Sequence, residues 1–407
     1  MSTSSTIEKS STLSFKLSQE QFNQALSMLS KTVSRQGIQP ILNNVLIKAD
    51  EQAQKLLLAT TDLDLSLSFL LQAKITEGGE VTILAQKLYE LVSKLPHLEF
   101  TLSSTENAAI NVTCGRSKFE LRGVPADQFP RDFLNTEKPS PDATQIKLST
   151  EQLLKAAQLV SFASDKREIN SILNGICFEV SERGLELAAT DGSRLAYFCL
   201  PSIDVKEQLK AVIPFRTINE LIRLIGDLPE ESISCHFDKA SRIVFQTQER
   251  CLSSNQVDGV YPKYQQLIPS GHNHRAVVNR QEFFTALERV AVLANERTKV
   301  VKLLFEEIGI LTVSAQTPDL GEAVDQIDIA QYEGQDFSIA FNVNYMLECL
   351  RALDCEKVEI RMTEQLKPVI VVPYKEQSED QKTEKTSSDT PFDYLYLLMP
   401  VQMRNAN

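Results

Sequence analysis

The side chains best suited by type to do chemistry in this chain are three aspartates, Asp62, Asp64 and Asp191, and two histidines, His272 and His274. Carboxylates act as acid and base when they face one cleft from unlike environments, and histidines two positions apart can begin a metal site. Neither set completes. The aspartates stand at matching positions of recurring turn segments, where an Asp side chain hydrogen-bonds its own turn backbone. The histidines fall in a Pro/Gly/Ser-rich linker, and no second pair of His, Cys or carboxylates is spaced to close a coordination shell. The chain holds only 4 histidines, and G-x-x-x-x-G-K, G-x-S-x-G and H-E-x-x-H are all missing, which argues against phosphate-loop, serine-hydrolase and zinc-protease chemistry. The residues predict a protein that is not an enzyme, with no metal and no cofactor.

Cations carry the other candidate chemistry. They recur where a repeated helix hands over to the next strand, as Lys31 and Arg35, Lys166 and Arg167, Arg297 and Lys299. More stand on a second repeated helix, with Arg223 and Arg351 in register, Lys94 one residue off it, and Lys87 and Arg216 nearby. Taken singly, such residues are solvated helix charges worth little. Three equivalent sets pointing one way form a stripe of mobile Lys and Arg. Without interleaved aromatic platforms, that stripe suits sequence-blind contact with duplex phosphates better than readout of single strands. The contact must be local, because 42 basic against 54 acidic residues leave a net charge of −12, the wrong sign for gripping a polyanion over the whole surface.

What positions these residues is a repeat. A helix start reads LSQEQFNQALSMLS from Leu17, LSTEQLLKAAQLVS from Leu148 and VNRQEFFTALERVA from Val278, at spacings of 131 and 130. Each copy has an N-cap residue (Ser18, Ser149, Asn279) followed three positions on by Gln21, Gln152 or Glu282, the pairing that satisfies first-turn amides. Each then carries one apolar stripe at i, i+3, i+4 and i+7. Phe22, Ala25, Leu26 and Leu29 answer to Leu153, Ala156, Ala157 and Val160, and to Phe283, Ala286, Leu287 and Val290. Strand-like runs follow, PILNNVLIKA from Pro40, SILNGICFEV from Ser171 and VVKLLFEEI from Val300. These lead through a further strand to turns at Thr61-Asp62, Thr190-Asp191 and Thr317-Pro318-Asp319. A second helix appears as LYELVSKL from Leu88, INELIRLI from Ile218 and MLECLRAL from Met346, with Glu90, Glu220 and Glu348 in register, and alternating strands close each copy.

Three copies of helix, strands, helix, strands in 407 residues predict an α+β protein of three domains, 13–140, 145–270 and 276–407, each with two helices packed on antiparallel sheets. The boundaries fall in TEKPSPDAT at 136–144 and IPSGHNHRA at 268–276. Residues 1–12 read as a disordered tail without the apolar stretch of a secretory signal, and 375–390 as a charged, solvated loop inserted in a late hairpin. No apolar run approaches the roughly 18 residues that span a bilayer. Seven scattered cysteines without C-x-x-C spacing indicate neither disulfides nor zinc and point to a reducing cytoplasm.

Together, PILNNVLI, TTDLDL, AATDGSRLA, VDGVYPKYQQLIP, FNVNYMLECLRAL and LLMPVQMR make the chain similar to the bacterial beta sliding clamp, the beta subunit of DNA polymerase III, over essentially its full length. The resemblance implies a head-to-tail homodimer, a ring of six clamp domains with helices lining the hole and sheets outside. Such a ring encircles double-stranded DNA, slides without reading bases and tethers the replicative polymerase. The resemblance also implies a pocket for short linear peptides of polymerases, the clamp loader and repair proteins. Its residues here would be Leu173, Thr190, Gly192, Arg194, Leu195, Pro262, Leu267, Asn342, Tyr345, Val369, Leu397, Met399, Pro400 and Val401. Apolar and sulfur side chains in that set suit peptide anchors, and Arg194 and Asn342 offer polar orientation. By the same resemblance, Phe119 and Leu121 of one chain meet Val292 and Leu293 of the other. Ser193 and Gln266 stand where other members often carry histidine and arginine, and the chain continues past Met399-Pro400 to QMRNAN. Two other classes stay open on the residues alone: a scaffold that uses the same pocket without nucleic acid, and an enzyme whose site carries no known motif.

Overall fold

The computed structural model describes residues 12–33, 39–131, 143–168, 171–201, 208–228, 232–238, 242–318, 320–375 and 394–402. Arg35, the tail up to residue 11, most of the first linker and residues 376–390 of the charged run lie outside the described residues. Six α-helices stand among the described residues: α1 (Gln19–Thr32), α2 (Ala85–Val92), α3 (Thr150–Ser161), α4 (Phe215–Ile225), α5 (Arg280–Ala291) and α6 (Val343–Ala352). The Ser18 hydroxyl accepts the Gln21 amide at 3.3 Å, and the Asn279 side chain accepts those of Gln281 and Glu282 at 2.9 and 3.1 Å. Ser149 directly precedes α3. All three apolar stripes are buried.

The repeat begins earlier than its helix. Leu13–Ser18, Thr144–Ser149 and His274–Asn279 are strands that run straight into α1, α3 and α5, and the first alternates buried Leu13, Phe15 and Leu17 with more exposed neighbours. His274 therefore belongs to a strand and not to a linker, with its ring 4.4 Å from that of Phe337. Two predicted strands begin late, because Pro40–Asn43 and Ile172–Asn174 are 3-10 turns and the strands start at Asn44 and Gly175. Proline presets the φ of the first turn, and the Ser171 hydroxyl accepts the Leu173 amide at 3.2 Å to open the second. The second helices each begin three residues ahead of LYEL, INEL and MLEC.

The chain folds into two compact units, Met1–Glu151 with Asn219–Gln256, and Gln152–Ile218 with Val257–Asn407. In the first, a five-stranded sheet runs Lys74–Glu77, Leu13–Ser18, Glu99–Ser104, Ala109–Cys114, Ser117–Arg122. An eight-stranded sheet runs Thr144–Ser149, Ser232–Asp238, Arg242–Gln246, Arg250–Asn255, Leu65–Gln72, Lys55–Thr61, Asn44–Asp50, Gly79–Leu84. Helices α1 and α2 pack on each other, and Phe15, Phe22 and Phe100 meet with ring centroids between 5.2 and 6.3 Å apart.

The second unit holds a twelve-stranded sheet. Its order is Leu209–Pro214, Gly175–Ser181, Gly184–Thr190, Arg194–Leu200, Tyr394–Leu398, Val369–Pro373, Lys357–Met362, His274–Asn279, Gly321–Glu333, Ile310–Thr317, Val300–Glu306, Phe337–Asn342. Helices α5 and α6 pack together, and α5 lies on Ile310–Thr317 and Gly321–Glu333. Every strand pair in both units is antiparallel among the described residues.

One strand junction occurs in each unit. In the first, Arg250–Asn255 pairs with Leu65–Gln72 so that Leu252 faces Leu67. In the second, Tyr394–Leu398 pairs with Arg194–Leu200 so that Leu395 faces Tyr197. Of the strands with a free side, two match the halves of these junctions. Ser117–Arg122 ends the five-stranded sheet, and the Gly321–Asp328 half of the long strand pairs only with Ile310–Thr317.

Candidate functional site

The turn between Thr190 and Arg194 is built by its own side chains. Asp191 accepts the amides of Ser193 and Arg194 at 2.9 and 3.2 Å. The Thr190 hydroxyl donates to the Arg194 carbonyl at 2.6 Å and accepts the Gly192 amide at 3.1 Å. This places Gly192 at φ +86°, a left-handed conformation that glycine adopts without steric cost. Asp62 does the same work in the first unit, accepting the Asp64 and Leu65 amides at 3.2 and 2.8 Å. The aspartates thus serve as turn formers.

Arg194 leaves that turn buried, at 5% exposure. Its Nε donates to Asp191 at 3.1 Å, one Nη to Glu348 and the other to the Phe162 carbonyl at 2.9 Å. The guanidinium lies 4.2 Å from the Tyr345 ring centroid and 5.7 Å from that of Phe162. Burial opposes the charge, but Tyr396, Glu348 and Asp191 outweigh it and hold the group above its ordinary pKa. Arg194 is therefore a fixed cation tying the turn to α6, and Asn342 is likewise occupied, since its side chain accepts the Asn344 amide at 3.0 Å as the cap of α6.

Around Arg194 the residues taken from the resemblance separate into floor and rim. Leu195 and Leu397 face each other across the strand pair and lie in a buried cluster with Tyr197, Tyr261, Tyr264 and Ile370. Val369 is buried opposite Leu398. Thr190 meets this floor through its amide, which donates to the Tyr261 hydroxyl at 3.1 Å. Pro262, Leu267, Met399 and Val401 are exposed, and Leu173, Tyr345 and Pro400 half-buried. The Met399 amide donates to the Ser193 carbonyl at 2.9 Å, which joins the chain end to the turn, and the Val401 amide donates to Ala340 at 2.8 Å. Leu173 and Leu267 belong to short turns whose neighbours, Ile172 and Ile268, pack on the cluster. Sequence reasoning missed Phe162, Glu348 and Tyr396 here and read Asp191 only as a turn former. Glu348 did carry a signal, its register with Glu90 and Glu220, but those two pair with Lys87 and Arg223 of their own helices at 2.8 Å.

The repeated cations differ in their surroundings. Lys31, Lys94 and Arg297 are exposed, and Lys299 is half-buried at φ +52°. Arg167 bonds Asp165 at 2.9 Å, an interaction that lowers the carboxyl pKa. Lys166 stands 5.2 Å over the Phe215 ring, Arg223 meets Glu220, and Arg351 lies over Phe284 at 5.5 Å with Glu288 at 3.9 Å. Phe119, 38% exposed, and the half-buried Leu121 stand on the free edge strand. Val292, 75% exposed, and Leu293 directly follow α5, where the Leu293 carbonyl accepts the Thr317 hydroxyl at 2.7 Å.

Family models for the DNA polymerase III beta subunit match in series, the N-terminal domain at residues 13–134, the central domain at 147–263 and the C-terminal domain at 265–385. The beta sliding clamp of Synechococcus elongatus is 31% identical over 391 residues, 95% of this chain and 98% of that protein. The chain belongs to the beta sliding clamp family. Two solved clamps, from Bartonella birtlesii and Pseudomonas aeruginosa and each bound to griselimycin, are 29% and 27% identical with TM-scores of 0.84, covering 96% of this chain and 100% of theirs. The clamp is an α+β protein of three clamp domains, a non-catalytic DNA sliding clamp of the DNA polymerase III system. No helix among the described residues is long and apolar enough to cross a membrane.

Proposed function

We propose that two copies of this clamp close head to tail around duplex DNA, and that partner peptides dock on the floor and rim beside Arg194. The strand junction carries this reading. It occurs once in each unit, between Arg250–Asn255 and Leu65–Gln72 and between Tyr394–Leu398 and Arg194–Leu200. Its two halves recur with one side unpaired as Ser117–Arg122 and Gly321–Asp328. Joining those edges between copies repeats the junction and pairs both of them, as a heterologous contact that closes requires. Modules 13–140, 145–270 and 276–407, taken twice, then make six. Phe119, Leu121, Val292 and Leu293 offer the apolar surface that such a contact buries.

In that ring the phosphates meet Lys31, Arg35, Lys94, Lys166, Arg167, Arg223, Arg297, Lys299 and Arg351, a local positive lining inside an acidic protein. The peptide pocket uses exposed Leu267, Met399 and Val401 above the buried Leu195 and Leu397, an apolar cradle with fixed polar groups at one end. Replicative polymerase, clamp loader and repair proteins would share it, each converted from a weak binder to a tethered one, in the cytoplasm where the chromosome lies. Retention on DNA is the test. The full chain, loaded on closed circular DNA, should stay bound and should leave within seconds of cutting the circle once. Equal escape from both forms overturns the ring.

A further inference from the structure

We propose that Glu348 is a positioning residue shared by the peptide pocket and the duplex lining, holding Arg194 in place and thereby leaving Arg351 charged toward DNA. It rests on the ring reading and on the pocket placed beside Arg194. The second helices break their repeat here. Glu90, Glu220 and Glu348 stand in register, and each has a cation three positions away on its own helix, Lys87, Arg223 and Arg351. Lys87 and Glu90 close at 2.8 Å, as do Arg223 and Glu220. Glu348 and Arg351 are spaced as neighbours on one helix face in the same way, yet Glu348 bonds Arg194 instead. Arg351 stays 66% exposed, with the Phe284 ring centroid at 5.5 Å and Glu288 at 3.9 Å.

One turn residue decides which pairing forms. Aligning Thr61 with Thr190 sets Leu65 in the place of Arg194. Leu65 is buried and carries no charge, so Glu220 stays with its own helix. In the second unit the guanidinium is itself buried, where attraction between charges is far stronger than at the surface, whereas an exposed pair along a helix contributes little. Glu348 therefore turns to Arg194. Asp191, the Phe162 carbonyl and the Tyr345 ring enclose the rest of that cation. The Tyr396 hydroxyl donates to the Tyr345 carbonyl at 2.9 Å and ties the first turn of α6 to the strand that carries Leu397. Asn342, Tyr345, Glu348 and Arg351 thus follow at steps of three from the cap of α6 to its last turn. An occupant of the pocket that draws Arg194 away returns Glu348 to Arg351 and removes one cation from the lining. By linkage, bound duplex weakens such an occupant to the same degree.

The salt dependence of DNA affinity counts neutralised phosphates, at about 0.9 in slope for each, and a packing defect alone does not move it. For the full chain on a short DNA duplex, Glu220→Gln should steepen the slope by up to about 0.9, because it frees Arg223. The same change at Glu348 should not steepen it. Arg194→Met should lower the slope toward that of Arg351→Ala, and adding Glu348→Gln to Arg194→Met should restore it. The comparison of Glu348→Gln with Glu220→Gln decides the matter even where Arg194→Met fails to fold. A steeper slope in Glu348→Gln, or equal slopes for Arg194→Met with and without Glu348→Gln, overturns the shared role and leaves the ring standing. If Arg351→Ala itself keeps the wild-type slope, α6 does not face the duplex, and the reading beneath the proposal fails with it.

Discussion

Gly192 and Leu63 occupy the same place in two copies of one turn. Each amide donates to the threonine two positions back, Leu63 to Thr61 at 3.0 Å and Gly192 to Thr190 at 3.1 Å, and their φ values are +81° and +86°. A leucine in that conformation carries strain of about 1–3 kcal/mol, which the Asp62 bonds hold in place. A side chain at Gly192 would meet nothing within 4 Å, so the fold accepts one there, but it would project at the rim. Gly192→Leu should therefore lower stability by no more than about 1–3 kcal/mol while weakening the docking of partner peptides proposed for this rim at least tenfold in calorimetry. Undiminished binding would move the pocket away from this turn. Arg194 came in through the family resemblance, and its role was hidden in the sequence. Its partners Phe162 and Glu348 lie 32 and 154 positions away, and no local pattern links residues at such separations.

At the scale of elements, what the sequence expressed was whatever is decided locally. Caps and stripes set α1, α3 and α5, because a cap needs four residues and a stripe eight. Short strands that run into a cap were lost, since six residues ending in Leu17-Ser18 read equally as the approach to a helix. The 3-10 turns at Pro40 and Ser171 were absorbed into the apolar runs that follow them. Burial, too, is decided between elements, and it gives His236 a consequence for stability. This residue stands on Ser232–Asp238, 6% exposed, with Nδ1 unpartnered among the described residues. Burial first, and Lys147 second, lower its pKa. The folded state therefore binds its proton less readily than the unfolded chain, whose imidazole titrates near 6.5. Stability from this group is complete above the unfolded value and is lost as pH falls through the folded one, with a slope of at most about 1.4 kcal/mol per pH unit. Urea midpoints of the wild type should fall between pH 7 and 5 more steeply than those of His236→Phe. Parallel pH profiles would show that His236 is hydrated despite its burial.

For the whole molecule, the question is how a chain of net charge −12 stays on DNA. Electrostatic grip alone would be short-lived, since each neutralised phosphate contributes a slope of about −0.9 to the dependence of log affinity on log salt. A closed ring separates capture from retention. In the proposed ring, capture would depend on the cations assigned to the inner helices, whereas retention would depend only on the strand junctions staying paired, through backbone hydrogen bonds and apolar contacts with little salt dependence. Raising salt from about 0.05 to about 0.5 M should then slow loading steeply and leave the half-life on a closed circle within twofold. Replacing Lys94 and Arg297 with alanine should reduce the loading slope by roughly 2 without changing that half-life. If release from the circle instead accelerates with salt along the same slope as loading, the cations and not the ring are holding the DNA. The acidic excess fits the topological alternative, because a surface that repels the duplex everywhere except inside the hole keeps the ring sliding instead of stuck.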